Sequence, residues 1–231
     1  MSSGQVCYPR SDDIKEPCVE THEIYLPERF DDASLKEKIF FSAISLFAEF
    51  GLNGARMEQI AEKANTTKRM VVYHFKSKEL LYVQVLEYVY TQIRSCERKL
   101  NLSDQPPVEA MVELVEWTFD FHAEHPDFIR IICMENMQRG RFVKESAYLR
   151  EINRSALEVL QDVLTRGQEK QLFNKQVCAK DVHRLISSFS FYHVANSYTF
   201  SNFFEDGAEP VDSTAHYREM AVKVVLRYIG P

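Results

Sequence analysis

From Ile39 to Leu86 the chain reads IFFSAISLFAEFGLNGARMEQIAEKANTTKRMVVYHFKSKELLYVQVL, with apolar residues returning at three- and four-residue steps between single turn-forming residues. That rhythm specifies short amphipathic helices, each burying one stripe. A strand would need period-two alternation, which is missing here. Helix 1 is predicted over Ser34 to Phe50, with Ser34 as N-cap and Ile39, Ala43, Leu46, Phe47 and Phe50 facing inward. Gly51 suits the left-handed position that ends a helix. Helix 2 is predicted over Met57 to Ala64, and Asn65 takes the turn because Asn tolerates positive φ. Helix 3 starts at Thr66 or Thr67 and ends near Phe75; Ser77 caps helix 4, with Glu79 in its first turn.

The second and third helices have the build of a helix-turn-helix, in which one helix braces another that offers its N-terminal residues to base edges. Val71 and Phe75, four apart, supply the packed side of helix 3. Thr67, Lys68, Arg69, Tyr73 and His74 supply the free side. Lys68 and Arg69 lie in its first turn, where Arg can bond two acceptors of guanine. Tyr73 can touch a phosphate or a thymine methyl, and Thr67 can cap the helix and donate to a phosphate. His74, Lys76 and Lys78 form a phosphate clamp at the next junction, and Arg56 adds a phosphate contact before helix 2. A solvated basic face on an ordinary three-helix cluster is the alternative for each residue alone; the concurrence of turn, caps, apolar faces and basic tip favours DNA.

Charge placement agrees. Net charge is −6, yet residues 35–80 hold eight Lys/Arg against five Asp/Glu, giving +3 there and −9 elsewhere. A basic face on an acidic body suits contact with DNA at one end only. Five cysteines, an odd number without metal-ligand spacing, read as reduced thiols. No apolar run reaches the roughly 20 residues of a membrane span. The first residues lack the apolar core of a secretion signal, so a cytoplasmic location is expected.

Residues 1–33 are expected to be a mobile, acidic tail, with a short ordered piece around Ile24–Phe30. Residues 34–80 form the expected DNA-binding domain, and 81–231 a larger helical body. After the break SDQPPVE, helices are predicted near 107–124, 126–138, 146–169, 179–204 and 213–229, with a further break at 205–210. The fold class is therefore all-α.

The residues resemble the DNA-binding domain of the TetR (tetracycline-repressor-like) regulators. The likeness rests on Ala43, Leu46, Phe47 and Gly51, on Ile60-Ala61, and on Y-H-F-x-S-K-E-x-L from Tyr73 to Leu81. Three positions depart from the family pattern. The turn carries Asn65 rather than Gly, Val72 stands where an aromatic is frequent, and Arg56-Met57 opens helix 2 in place of Thr. The resemblance implies a homodimer, a double-stranded DNA operator and a small-molecule effector bound in the body. No cofactor and no metal site is expected.

For the dimer, the last two helices are the candidates. An effector pocket needs apolar walls with a few placed polar groups. Trp117, Phe121, Arg130, Met134, Glu135, Phe189, His193 and Asn196 are the residues proposed for it, with Tyr198 beside them. An arginine facing that cavity would attract a carboxylate-bearing or planar polar effector; a salt-bridged helix end is the alternative for the run CMENMQRGR. Two other functions stay open. One is an effector-independent DNA- or partner-binding protein on the same fold. The other is an all-helical enzyme, for which no H-E-x-x-H, Gly-rich phosphate loop or nucleophile elbow is present.

Overall fold

A computed structural model of the chain describes residues 34–204 and 214–231. The expected tail at 1–33 and the break at 205–210 lie outside the described residues. Among those described, the order is α1 (Leu35–Gly54), α2 (Met57–Lys63), α3 (Lys68–Phe75), α4 (Lys78–Arg98), a 3-10 turn (Leu102–Asp104), α5 (Pro107–Glu124), α6 (Pro126–Met137), α7 (Arg141–Glu145), α8 (Ala147–Glu169), α9 (Ala179–Ala195), α10 (Ser197–Phe204) and α11 (Thr214–Ile229). There is no strand among the described residues.

Local chemistry sets the first four helices. Ser34 opens α1 with a capping box: its Oγ accepts from Glu37 N at 3.3 Å, and its own N–H donates to Glu37 Oε2 at 2.8 Å. Gly51 has φ 65° and ψ 177°, so it kinks α1 rather than ending it, and a last turn runs on to Gly54. Few residues but glycine reach that backbone region. Asn65 sits at φ 51°, in the left-handed turn its type suits. Thr67 caps α3 by accepting from Met70 N at 3.4 Å, and Ser77 caps α4 by accepting from Leu80 N at 3.1 Å. Between them Lys76 stands at φ 66°, ψ −59°, and Ser77 N donates to Phe75 O at 2.8 Å. This is a positive-φ γ-turn, an uncommon connection that folds α4 back sharply from α3.

One apolar core joins α1–α4 to α6, α7, the end of α5 and the start of α8. A second fills the space among α5, α8, α9 and α11. Because α1 is packed by α2, α4 and α6 together, it buries most of its circumference, including Phe40, Phe41 and Ile44. The expected single stripe is wider than predicted, and Phe50, past those neighbours, is 45% exposed. The helix expected at 179–204 is broken: Asn196 ends α9, and its carbonyl accepts from Phe200 N at 2.9 Å to start α10. Asn and Ser compete with helical hydrogen bonds, which explains the break at Ala195-Asn196-Ser197. The five-residue α7 was not expected from the sequence.

A Cβ at residue 51 would lie 3.1 Å from Met134 Sδ on α6 and would carry an unfavourable φ. Gly51→Ala should therefore cost about 1–3 kcal/mol of stability. A chemical-denaturation midpoint equal to wild type would contradict this account of the α1–α6 contact.

Candidate nucleic-acid interface and interior cavity

The two faces of α3 are sharply divided. Val71 and Phe75 are fully buried, and Phe75 stacks on Phe40 of α1 with ring centres 6.2 Å apart. Lys68, Arg69, Val72 and Tyr73 are exposed, Tyr73 by 65%. Lys76 holds the Tyr73 end in place: its Nζ donates to Tyr73 O at 2.9 Å and lies 5.6 Å from the ring centre. His74 is half-buried, edge-on to Tyr73 at 5.1 Å. Arg56 is exposed just before α2, where its N–H donates to Gln59 Oε1 at 3.0 Å.

Two of the expected contacts are engaged within the chain. Lys68 Nζ pairs with Glu58 Oε1 on α2 at 2.7 Å, and this hydrogen bond holds the Glu58 carboxyl below its ordinary range. Lys78 Nζ donates to Ala55 O at 2.9 Å, tying the first turn of α4 to the end of α1. Arg69 has no ion pair among the described residues. Val72 is the further exposed apolar group on this face; its signal in the sequence was its place one residue off the Val71–Phe75 stripe.

An interior cavity of about 190 Å³ lies farther along α4. Tyr90, Ile93, Arg94 and Glu97 line it from α4, Leu114, Thr118 and His122 from α5, Asn153 and Leu160 from α8, and His183, Ile186 and Phe191 from α9. Arg94 and Glu97 are both buried and meet at 2.5 Å, one turn apart. Burial opposes both charges, pushing the Glu97 carboxyl up and drawing Arg94 down, while each partner works against that. Arg94 Nε and His122 Nδ1 are buried without a hydrogen-bond partner. Burial, then the charge of Arg94, then His183 and His125 draw His122 down to about 3, so its imidazole is neutral. His183 is also drawn down, by burial and by Arg94.

None of the eight residues expected to bind an effector lines this cavity. Trp117 and Phe121 are core residues whose rings meet at a tilt, with centres 5.1 Å apart. Arg130 is exposed, paired with Asp127 at 3.0 Å and donating to Tyr198 Oη at 3.1 Å. Met134 packs under Gly51. Glu135 is buried, and its Oε1 accepts from Phe142 N at 2.8 Å and Val143 N at 3.1 Å, capping α7. Phe189 packs on the second core. His193 lies tilted against Phe119, ring centres 5.0 Å apart, and its Nε2 meets Thr214 Oγ1 at 3.2 Å. Asn196 ends α9. The physical reason on α5 is a rotation of one residue. Trp117 and Phe121 face one core, while their neighbours Thr118 and His122 face the cavity. The charged residues of the cavity wall are Arg94 and Glu97, a pair one turn apart on α4.

Among the described residues no cluster of His, Cys, Asp or Glu could hold a metal, and no helix is long and apolar enough to cross a membrane. A helix-turn-helix with an exposed basic tip, carried on an all-helical body, defines a helix-turn-helix transcriptional regulator. Residues 39–85 match the model of bacterial regulatory proteins of the tetR family, and residues 107–225 match the tetracyclin repressor-like C-terminal domain. The chain belongs to the TetR family. It is 34% identical over 168 residues to the HTH-type transcriptional repressor NicS of Pseudomonas putida, covering 73% of this chain and 79% of that protein. It is 35% identical over 100 residues to the HTH-type transcriptional regulator RutR of Escherichia coli, covering 43% and 47% respectively. The ketosteroid transcriptional regulator KstR2 of Mycobacterium tuberculosis shares the fold, with TM-score 0.66, 20% identity, and 86% of this chain and 96% of that one covered. These matches are all to transcriptional regulators.

The depressed His122 makes stability depend on pH. Unfolded, it titrates near 6.5, and folded near 3. Above 6.5 both states are neutral and nothing is lost. Below it the unfolded chain takes a proton that the native state refuses, so stability falls as pH drops, by up to roughly 1.4 kcal/mol per pH unit. His183 acts in the same direction. Between about pH 7 and pH 5 the melting temperature should fall, and His122→Gln should flatten the slope. Equal slopes in both proteins would refute this.

Proposed function

We propose that the chain is a cytoplasmic, non-enzymatic repressor that binds a two-fold DNA operator as a homodimer and leaves it when a small molecule fills the interior cavity. In this reading residues 34–80 contact DNA, and residues 81–231 bind the effector and the second subunit. The observation that carries the proposal is the divided α3, clamped by its apolar face and open on its basic, aromatic face.

Roles follow from placement. Arg69 reads base edges, since it is exposed and without an ion pair among the described residues. Tyr73 and Val72 offer a hydroxyl and an apolar surface to phosphate and thymine methyl. Thr67, at the N-terminus of α3, and Arg56, before α2, meet phosphates, and His74 stands behind Tyr73. Lys68 joins them when DNA displaces Glu58. Lys78 acts indirectly, by fixing the α1–α4 junction that sets the tilt of α3.

A two-fold operator needs two recognition helices about 34 Å apart, hence two subunits. Large exposed apolar side chains suited to a subunit contact lie on α9 (Tyr192), α10 (Tyr198, Phe203, Phe204) and α11 (Val224, Tyr228). Such exposure on one molecule marks an interaction surface. Effector action needs only that the ligand prefer the form that fits DNA poorly. The route available to it is α4, which lines the cavity at one end and abuts α3 at the other.

Gel shift with the intergenic DNA beside its own gene tests the reading. Arg69→Ala should weaken specific binding by about 1–3 kcal/mol, roughly 5- to 150-fold. Tyr73→Ala should also weaken it, whereas Lys68→Ala should cost less because Glu58 competes for that ammonium. Equal binding by wild type and both Arg69→Ala and Tyr73→Ala would reject the assignments.

A further inference from the structure

We propose that the helical body carries a second DNA contact, a basic corner of Arg139, Arg141, Lys144 and Arg150 that holds backbone phosphates beside the stretch met by α3. This rests on the reading of α3 as the recognition helix and extends the contact beyond residues 34–80.

The first observation is charge. Residues 138–150 read QRGRFVKESAYLR, with four Lys/Arg against one Asp/Glu. Everything outside residues 35–80 sums to −9, so without this +3 stretch the remainder is −12. Like charges gathered on an acidic body repel one another and are relieved by a polyanion. All four side chains are exposed. Neither Arg139 nor Lys144 has a side-chain hydrogen bond or ion pair among the described residues. Arg141 lies over the Phe142 ring at 5.0 Å, and its Nε is 4.0 Å from Glu145 Oε1, too far for a hydrogen bond. Arg150 Nη1 donates to Lys144 O, which brings the start of α8 to the end of α7.

The second observation is that the corner is held from within. Arg139 and Gly140 turn the chain at φ 60° and 65°. The buried Glu135 pins the start of α7, its Oε1 accepting from Phe142 N at 2.8 Å and Val143 N at 3.1 Å. Ser146 Oγ donates to Glu87 Oε1 at 2.8 Å, and Tyr148 Oη meets Thr91 Oγ1 at 2.9 Å, so α8 is stitched to α4. A fixed backbone leaves less freedom to be lost when the side chains meet a ligand.

The third observation is place. The ties to α4 run in order, Phe142 to Tyr82, Ser146 to Glu87 and Tyr148 to Thr91. Therefore α7 sits at the end of α4 that follows the recognition helix. Tyr82 is one turn from Lys78, whose Nζ holds Ala55 O. On the other side Met134, five residues before Arg139, packs under Gly51. The corner thus brackets residues 51–55, which lead directly to Arg56, the phosphate contact before α2. The eight residues of α3 span about 12 Å, fewer than four phosphate steps of roughly 3.4 Å along one strand. A duplex seated on α3 runs past its ends, and the corner continues the positive surface of Arg56 on the α4 side. Arginine forks match phosphate oxygens and carry no sequence information there. By contrast Lys170, Lys175 and Lys180, equally exposed, flank Phe173, Val177 and Ala179 of the second core.

Fluorescence anisotropy of the full chain on a mixed-sequence duplex of about 30 bp, roughly three helical turns, tests the corner over a range of salt. Arg139→Gln/Arg141→Gln/Lys144→Gln should weaken binding about tenfold near 0.1 M salt. It should also lower the slope of log K against log salt by about two to three, about one per lost phosphate contact. Lys170→Gln/Lys175→Gln/Lys180→Gln removes the same charge beside the second core and should leave the slope as in wild type. Arg139→Lys/Arg141→Lys keeps the charge and should keep the slope, which separates lost contact from lost fold. An unchanged slope in the corner variant would overturn the proposal and leave the corner to a partner other than DNA. An equal loss in the second-core variant would overturn it too, since net charge alone would then explain binding. Gel shift with the DNA beside its own gene separates this from the reading of α3. The corner variant should weaken promoter and mixed-sequence binding alike, whereas Arg69→Ala should reduce their ratio. A corner variant that binds as wild type while Arg69→Ala loses the ratio sinks the corner and keeps α3. A corner variant of lower slope, with the ratio kept in Arg69→Ala, does the reverse.

Discussion

Everything in this molecule is referred to a single rod. The helix α4 runs unbroken from Lys78 to Arg98. At 1.5 Å per residue, the carbonyl tie made by Lys78 and the cavity charge at Arg94 are separated by about 24 Å. At its first turn the γ-turn at Lys76 and the Lys78–Ala55 bond fix it to the recognition helix and to the end of α1. At its far end the buried Arg94–Glu97 pair faces the cavity. A stiff element held at both ends carries a displacement from one to the other without needing any softer pathway. The surroundings of α4 reinforce this. Tyr82 on its inner face packs edge-on against Phe47 of α1 and Phe142 of α7, each at 5.2 Å, and burial together with the nearby Glu135 pushes its hydroxyl well above the ordinary range.

The buried Arg94–Glu97 pair is poorly explained by stability alone. Moving two charges out of water costs several kcal/mol each, and apolar residues of the same volume often serve a fold equally well. Its geometry is also incomplete, since Arg94 Nε has no partner. A protein selected only for packing would not be expected to keep an unsatisfied guanidinium beside an unsatisfied imidazole. Both residues line the cavity, so the pair lies at the proposed effector site rather than in a sealed core.

The helix-turn-helix was legible in the sequence because its signals are local. Ser34, Asn65, Thr67 and Ser77 act on backbone groups within three or four residues of themselves, so their types alone announce the turns and caps. What was misread depends on neighbours far along the chain. Gly51 was placed correctly at positive φ, but whether the helix resumes after it depends on α6. Phe50 has the right spacing for the core, yet among the described residues it stays 45% exposed. On α5 the difficulty is that both faces are apolar, since it is packed between two cores. Periodicity then cannot say which face meets a cavity: Trp117 and Phe121 lie in a core, whereas Thr118 and His122 line the cavity. In the sequence Arg94 and Glu97, one turn apart, read equally as a surface pair; only burial distinguishes them.

The same distinction governs the proposed DNA face. Lys68 and Glu58 meet at 2.7 Å, but both are more than half exposed. In water such a pair contributes little and is readily exchanged. A phosphate lattice offers Lys68 many partners and repels Glu58, so the pair acts as a weak internal competitor rather than a lock. It holds the lysine near the surface of α2 in the free protein and lowers the loss of side-chain freedom when DNA arrives. It also leaves Arg69 as the cation of that turn whose position is set by α3 alone. A guanidinium so placed, on a helix clamped by Val71 and Phe75, can meet two acceptors of one guanine, a geometry that an ammonium cannot reproduce.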